Sequence, residues 1–279
     1  MSAPATSVPN IALNDGVEIP QLGFGVFQVP PEDTAETVTR AFEVGYRHID
    51  TAKVYGNEAG VGDAFHASGL GREDVFVTTK CWNADQGFDS AKQALKASLE
   101  RLRLDHVDLY LIHWPVPAKD RYLDTWKAFV ELKDEGLTRS IGVSNFQPDH
   151  LRRIVDETGV TPSVNQVELH PYLVQQGLRR EHADRGIVTE AWSPLAQGEV
   201  LGDETITGIA QELGRTPGQV VLRWHLQRGN VVFPKSVTPE RIKENFEVFD
   251  FDLSEEQLSA LDGLDRGHRV GPDPDVFVG

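Results

Sequence analysis

The stretch Val75–Trp114, VFVTTKCWNADQGFDSAKQALKASLERLRLDHVDLYLIHW, decides the architecture. A short apolar run ends at Lys80, a helix-like segment spans Ser90–Leu102, and a second apolar run, Val107–His113, follows. Two apolar runs separated by a helix-length segment predict parallel strands joined by a crossover helix. The same alternation extends both ways along the chain. Further strands are predicted near Leu22–Phe27 and at His48–Asp50, Ser140–Val143, Val164–Glu168, Ile187–Ala191 and Val231–Pro234. Helices are predicted over Thr34–Val44, Glu58–Ser68, Tyr122–Glu135, Pro148–Thr158, Gln175–Arg185 and Pro217–Gln227.

With the two runs of the opening stretch, this makes the eight strands that a closed (β/α)8 TIM barrel requires, an α/β fold. Asn14-Asp15-Gly16 is a tight-turn signal between two short apolar segments and predicts an N-terminal β-hairpin ahead of the barrel. The Gly- and Pro-rich ending HRVGPDPDVFVG predicts a short irregular C-terminal tail. No repeat or linker divides the chain, so residues 1–279 are expected to form a single domain. An open doubly wound sheet would carry a Gly-rich turn after its first strand. Gly23 and Gly25 have no third glycine opening a helix after them, and they suit a crowded, bending barrel strand better.

A formal net charge of −16 argues against nucleic acid or an anionic membrane surface as partner. The single cysteine, Cys81, excludes an intramolecular disulfide and a Cys-rich metal site, and no metal is expected. The opening MSAPATSVPN has neither the basic nor the apolar part of a signal peptide, and no apolar run is long enough to span a bilayer. The expectation is a cytoplasmic protein.

Asp50, Tyr55, Lys80 and His113 fall at or just past the ends of successive predicted strands. In a barrel of this type those ends share one face, the face that carries chemistry. A free phenol, with a pKa of about 10, is a poor acid near neutrality. A neighbouring ammonium stabilises the phenolate, and a carboxylate beside the ammonium keeps it charged. Tyr55 can therefore donate a proton to a carbonyl oxygen, tuned by Lys80, which Asp50 holds, while His113 orients the substrate.

Several long stretches carry a resemblance: GYRHIDTA (Gly45–Ala52), YGNE (Tyr55–Glu58), VDLYLIHWP (Val107–Pro115), GVSNF (Gly142–Phe146), NQVE (Asn165–Glu168) and FPKS (Phe233–Ser236). On these the chain resembles the aldo-keto reductase superfamily over nearly its whole length. VLRWHLQ (Val221–Gln227) and VFDFDLS (Val248–Ser254) are similar to the compact bacterial members, diketo-sugar reductases among them. The resemblance implies that Asp50, Tyr55, Lys80 and His113 are the catalytic tetrad. Lys53, between tetrad members, departs from the family pattern; it either adds positive potential near Tyr55 or points to solvent.

The resemblance also implies an NADP(H) cofactor held without a dinucleotide fold. The hydroxyl and amides of Ser144, Asn145 and Gln166 would bind the nicotinamide carboxamide, and Trp192, where many members have tyrosine, would stack on the ring. Ser193, Leu195, Gln197 and Gly198 would wrap the pyrophosphate. Lys235, Ser236, Val237, Thr238 and Arg241 place two cations and two hydroxyls at the start of a predicted helix, a setting for a 2′-phosphate, with Glu244 and Asn245 near the adenine. Phe24, Phe27, Trp82 and Trp114 would form an apolar collar around the substrate. A short Trp114–Tyr122 segment and a short tail imply a shallow, open pocket and broad specificity.

The expected function is NADPH-dependent reduction of a small-molecule carbonyl by a monomer, the substrate being a sugar-derived ketone or a reactive aldehyde. A non-catalytic NADPH-sensing subunit on the same barrel is the alternative, distinguished by the absence of turnover. A Schiff-base aldolase using Lys80 is a third reading; it needs a lowered lysine pKa, which Asp50 opposes.

Overall fold

The computed structural model describes residues 8–278, so residues 1–7, part of the segment read for a leader, lie outside it. A hairpin of β1 (Asn10–Ala12) and β2 (Glu18–Pro20) comes first, in antiparallel register with Ile11 opposite Ile19. There follow β3 (Phe24–Gly25), α1 (Pro31–Val44), β4 (His48–Asp50), α2 (Glu58–Ser68), β5 (Phe76–Cys81), α3 (Phe88–Leu102), β6 (Val107–Ile112) and α4 (Tyr122–Asp134). The second half runs β7 (Thr138–Ser144), α5 (Pro148–Thr158), β8 (Val164–Glu168), α6 (Gln176–Arg185), β9 (Val188–Trp192), α7 (Glu204–Leu213), α8 (Pro217–Gln227) and β10 (Val231–Val232). Two last helices, α9 (Pro239–Phe246) and α10 (Glu255–Asp262), precede the tail.

Strands β3 to β10 pair in sequence order, all parallel. A parallel bridge between Leu22 and Val232 closes the ring, with Gly23 N donating to Val232 O at 2.8 Å and Val232 N to Gln21 O at 3.0 Å. This is the expected (β/α)8 barrel. The closing strands are shorter than the sequence suggests. A side chain at Gly25 would place its Cβ 2.9 Å from Phe233 O, so the backbones approach too closely there for any larger residue. Pro234 has no N–H to continue the ladder.

Alternate strand residues divide into two cores, as the period of two demands. Leu109, Leu111, Val164 and Val231 point inward and, with Ile19 and Leu13 of the hairpin, plug the end of the barrel remote from the strand C-termini. Val77, Tyr110, Ile112, Val143 and Ala191 point outward against the helices. Helices α7 and α10, which periodicity alone did not disclose, begin at capped ends. Asp203 accepts from Thr205 N and Ile206 N, and Ser254 and Gln257 form a reciprocal capping box. The tail is irregular, yet Glu168 anchors it by accepting Val270 N at 2.6 Å and Gly271 N at 3.1 Å.

Candidate active site

The inward positions near the strand C-termini carry the polar groups. Lys80 ends the inward row of β5 and is completely buried. Its Nζ donates to Asp50 Oδ1 at 2.6 Å and to Thr51 O at 2.9 Å. Burial pulls the lysine pKa down, but Asp50, with Tyr55 and Glu190, outweighs it, and the net direction is upward. The ammonium therefore keeps its proton, which disfavours a Schiff-base nucleophile.

Tyr55 stands on a 3-10 turn, Lys53–Tyr55, after β4. Lys80 Nζ is 5.3 Å from its ring centroid. Burial raises the phenol pKa and Lys80 lowers it, the net direction being upward, so Tyr55 is protonated near neutrality. His113 faces Tyr55 edge-on at 5.8 Å. Burial, then Lys80, holds its imidazole well below the usual histidine range, so it is neutral, and its buried Nδ1 has no partner. The structure thus brings the four strand-end residues together around one point.

The Tyr55 turn is pinned from both sides. Asn57 Nδ2 donates to Val26 O at 2.9 Å and to Val29 O at 3.2 Å, while Thr51 Oγ1 donates to Asn57 Oδ1 at 2.8 Å. Lys53 Nζ bonds Asp85 Oδ2 at 2.5 Å, so its charge is paired rather than free in solvent. It ties the Tyr55 turn to the loop carrying Trp82.

Next to the tetrad, Asn145 Nδ2 donates to His113 O at 3.0 Å and Ser144 Oγ to Gln166 O at 2.8 Å. Gln166 Nε2 donates inward to Asp50 Oδ2 at 2.9 Å and to Glu190 Oε2 at 2.8 Å. That commits both its N–H groups and leaves its carbonyl oxygen free as an acceptor. Trp192, half-buried, donates its indole N–H to Asn145 Oδ1 at 2.8 Å. In the following loop Ser193, Ala196 and Gln197 adopt φ of 47°, 48° and 54°, and Gly198 99°. Each non-glycine residue so held costs about 1–3 kcal/mol.

Lys235 and Arg241 are exposed and make no salt bridge among the described residues. Arg241 lies in the first turn of α9, whose N-cap Thr238 makes no side-chain capping bond. Free N–H groups and two free cations at a helix start suit a phosphate. Ser236 Oγ accepts from Thr238 N at 3.1 Å, Val237 is exposed, Glu244 accepts from Thr216 Oγ1 at 2.7 Å, and Asn245 is buried. Leu195 is half-buried beside the barrel mouth loop.

Of the predicted aromatic collar, Phe27 is 52% exposed and 5.1 Å from Tyr55, Trp82 meets His113 at 5.1 Å, and Trp114 meets Trp192 at 6.3 Å. The tail adds Phe277, 4.4 Å from Trp114. Phe24 does not belong to the collar. It is 1% exposed and packs edge-on against Tyr46 in the outer core, because its position on β3 turns it toward the helices. Sequence reasoning missed Asn57, Glu168 and Glu190. A carboxyl inside an apolar strand, as in VTEAW (Val188–Trp192), is the signal for the last.

The barrel and this cluster define a family. Residues 21–266 match the aldo/keto reductase family. An aldo-keto reductase of Mycolicibacterium smegmatis is 57% identical over 269 residues, 96% of this chain and 98% of the relative. Methylglyoxal reductase DkgA of Escherichia coli is 52% identical over 271 residues, with 96% and 98% covered. The crystal structure of a Gox0644 variant in complex with NADPH superposes with a TM-score of 0.94 at 49% identity, covering 97% of this chain and 99% of that one. The chain belongs to the aldo/keto reductase family.

Proposed function

We propose that the protein reduces small carbonyl compounds with NADPH, Tyr55 serving as general acid. The observation that carries this reading is the buried Lys80–Asp50 pair, 2.6 Å apart, with Lys80 Nζ 5.3 Å from the Tyr55 ring. A phenol that is protonated near neutrality is the form that donates, and the fixed ammonium lowers the cost of the phenolate left behind. Neutral His113, with one N–H to give, orients the carbonyl oxygen toward Tyr55. When bound, the reduced nicotinamide supplies the hydride.

Ser144, Asn145 and Gln166 would hold the carboxamide, the free carbonyl oxygen of Gln166 accepting its N–H. Trp192 would stack on the ring, Ser193, Leu195, Gln197 and Gly198 would enclose the pyrophosphate, and Lys235, Ser236, Val237, Thr238 and Arg241 would take the 2′-phosphate, with Glu244 and Asn245 at the adenine. The strained loop and the two unpaired cations support this assignment, as does the NADPH in the Gox0644 complex. Phe27, Trp82 and Trp114 would line the substrate side. The name of the DkgA relatives favours short reactive aldehydes such as methylglyoxal as the substrate class. We take the working form as a single-domain monomer in the cytoplasm.

NADPH oxidation followed with a panel of 2-oxoaldehydes, ketoses and diketones tests the reading. Wild-type turnover that collapses in Tyr55→Phe while NADPH still binds is the expected result. NADPH binding without turnover on any carbonyl would sink it in favour of a sensor.

A further inference from the structure

Glu190 lies in the middle of β9, inside the barrel, and is completely buried. Its Oε2 accepts from Gln166 Nε2 at 2.8 Å, and its Oε1 has no partner. The same Gln166 nitrogen donates to Asp50 Oδ2 at 2.9 Å. Two carboxyls therefore meet at one amide, while the nearby ammonium, Lys80, is committed to Asp50 at 2.6 Å. A second buried carboxylate without a cation of its own is costly. Burial, then the charge of Asp50, pushes the Glu190 pKa up to about 8, against the smaller opposing pulls of Gln166 and Lys80. The groups facing it are Asp50 from β4, Lys80 from β5 and Gln166 from β8; β10 offers only Val231 opposite it. His48, also on β4, is kept neutral by burial, with a pKa of about 4.

We propose that Glu190 is a proton site linked to the redox state of the cofactor, holding a proton beside the reduced, neutral nicotinamide and releasing it to solvent when the oxidised, cationic ring is bound. The inference rests on Gln166 being a nicotinamide contact, as proposed above. A positive charge brought near a buried carboxyl favours its ionised form. Across one intervening side chain, at the effective dielectric of a protein interior, the expected change in the ionisation equilibrium is about tenfold or more. Linkage makes the effect reciprocal: ionised Glu190 favours the oxidised cofactor over the reduced one by the same factor. Below its titration the protonated carboxyl weakens the hold on NADP+, the product to be shed after each reduction. Above it, the oxidised cofactor is retained.

The test is binding, read without turnover. Dissociation constants for NADP+ and NADPH are measured by tryptophan fluorescence from pH 6.5 to 9.5 for wild type, Glu190→Gln and Glu190→Asp. Calorimetry in buffers of different ionisation enthalpy counts the protons released. In the wild type the ratio Kd(NADP+)/Kd(NADPH) falls about tenfold as pH rises, and NADP+ releases more protons than NADPH. Glu190→Gln flattens the ratio and abolishes the difference in protons released; Glu190→Asp keeps part of both. A Gln variant that keeps the wild-type pH dependence overturns the inference. Should that variant fail to fold, equal proton release by the two nucleotides in the wild type overturns it instead. Failure of the wild type to bind either nucleotide would overturn the reductase reading itself, and this inference with it.

Discussion

The indole N–H of Trp192 donates to Asn145 Oδ1 at 2.8 Å, so the C-terminal ends of β9 and β7 are joined by a side-chain bond at the mouth of the barrel. Trp192→Phe keeps a stacking face but loses this bond. At about 0.5–1.5 kcal/mol for one hydrogen bond, NADPH should bind about two- to twelvefold more weakly in a fluorescence titration. Trp192→Ala, which removes the face as well, should weaken it further.

Lys80 and Asp50 compensate each other in a site closed to water. Lys80→Met leaves Asp50 uncompensated and should lower the unfolding free energy in urea by about 3–5 kcal/mol, while turnover falls by about 10²-fold or more. The double variant Asp50→Asn, Lys80→Met should regain most of the stability and none of the activity. Recovery of turnover in the double variant would refute the catalytic role.

Exposed Lys235 and Arg241 have no ionic partner among the described residues. Replacing either with alanine should raise the Kd for NADPH about tenfold and leave that for NADH within about twofold, since only the former carries the 2′-phosphate. The NADPH affinity should also fall with added salt, and less steeply in the variants.

Besides His113, burial holds His48 neutral with a pKa of about 4, and His182 and His225 with pKa values of about 3. Their folded values lie below the unfolded one, so between about pH 3 and 6.5 the unfolded chain binds more protons. The stability they contribute is present above about pH 6.5 and is lost as pH falls toward the folded values. Melting temperatures should drop steadily from pH 7 to pH 4 by circular dichroism; a flat profile would contradict these environments.

Phe24 and Phe27 are three positions apart, one 1% and the other 52% exposed. Phe24→Ala should cost about 3–5 kcal/mol of stability, the penalty of a core cavity. Phe27→Ala should leave the melting temperature within a few degrees but alter KM for bulky carbonyls, because its ring rests on Tyr55.

Much of this fold was legible because barrel strands that are buried on both faces read as apolar runs, and crossover helices separate them at regular intervals. The extent of the closing strands was not legible. Gly23 is crowded by His48 of β4 and Gly25 by the carbonyl of Phe233, just past β10, a tertiary fact that no local pattern records. The convergence of Asp50, Tyr55, Lys80 and His113 was legible because strand ends are where side chains of a barrel meet. Phe24 was misjudged because a strand end fixes proximity to the mouth but not which face a residue takes. Glu168 and Glu190 lay hidden within apolar segments, where their partners are backbone amides of the tail and an amide from another strand.

The closure of the ring has a temporal consequence. Gln21 Nε2 bonds Leu226 O at 2.8 Å across 205 positions of sequence. During synthesis, β3 must wait unpaired on that edge until almost the whole chain has left the ribosome, since its second neighbour is the last strand made. Such non-local closure is slow, and an open edge invites pairing with another nascent chain. Yield on overexpression and chaperone dependence should therefore respond to substitution of Gln21, whose side chain ties this seam to the backbone carbonyls of Leu226 and Asn230, more than to equally buried residues elsewhere in the barrel.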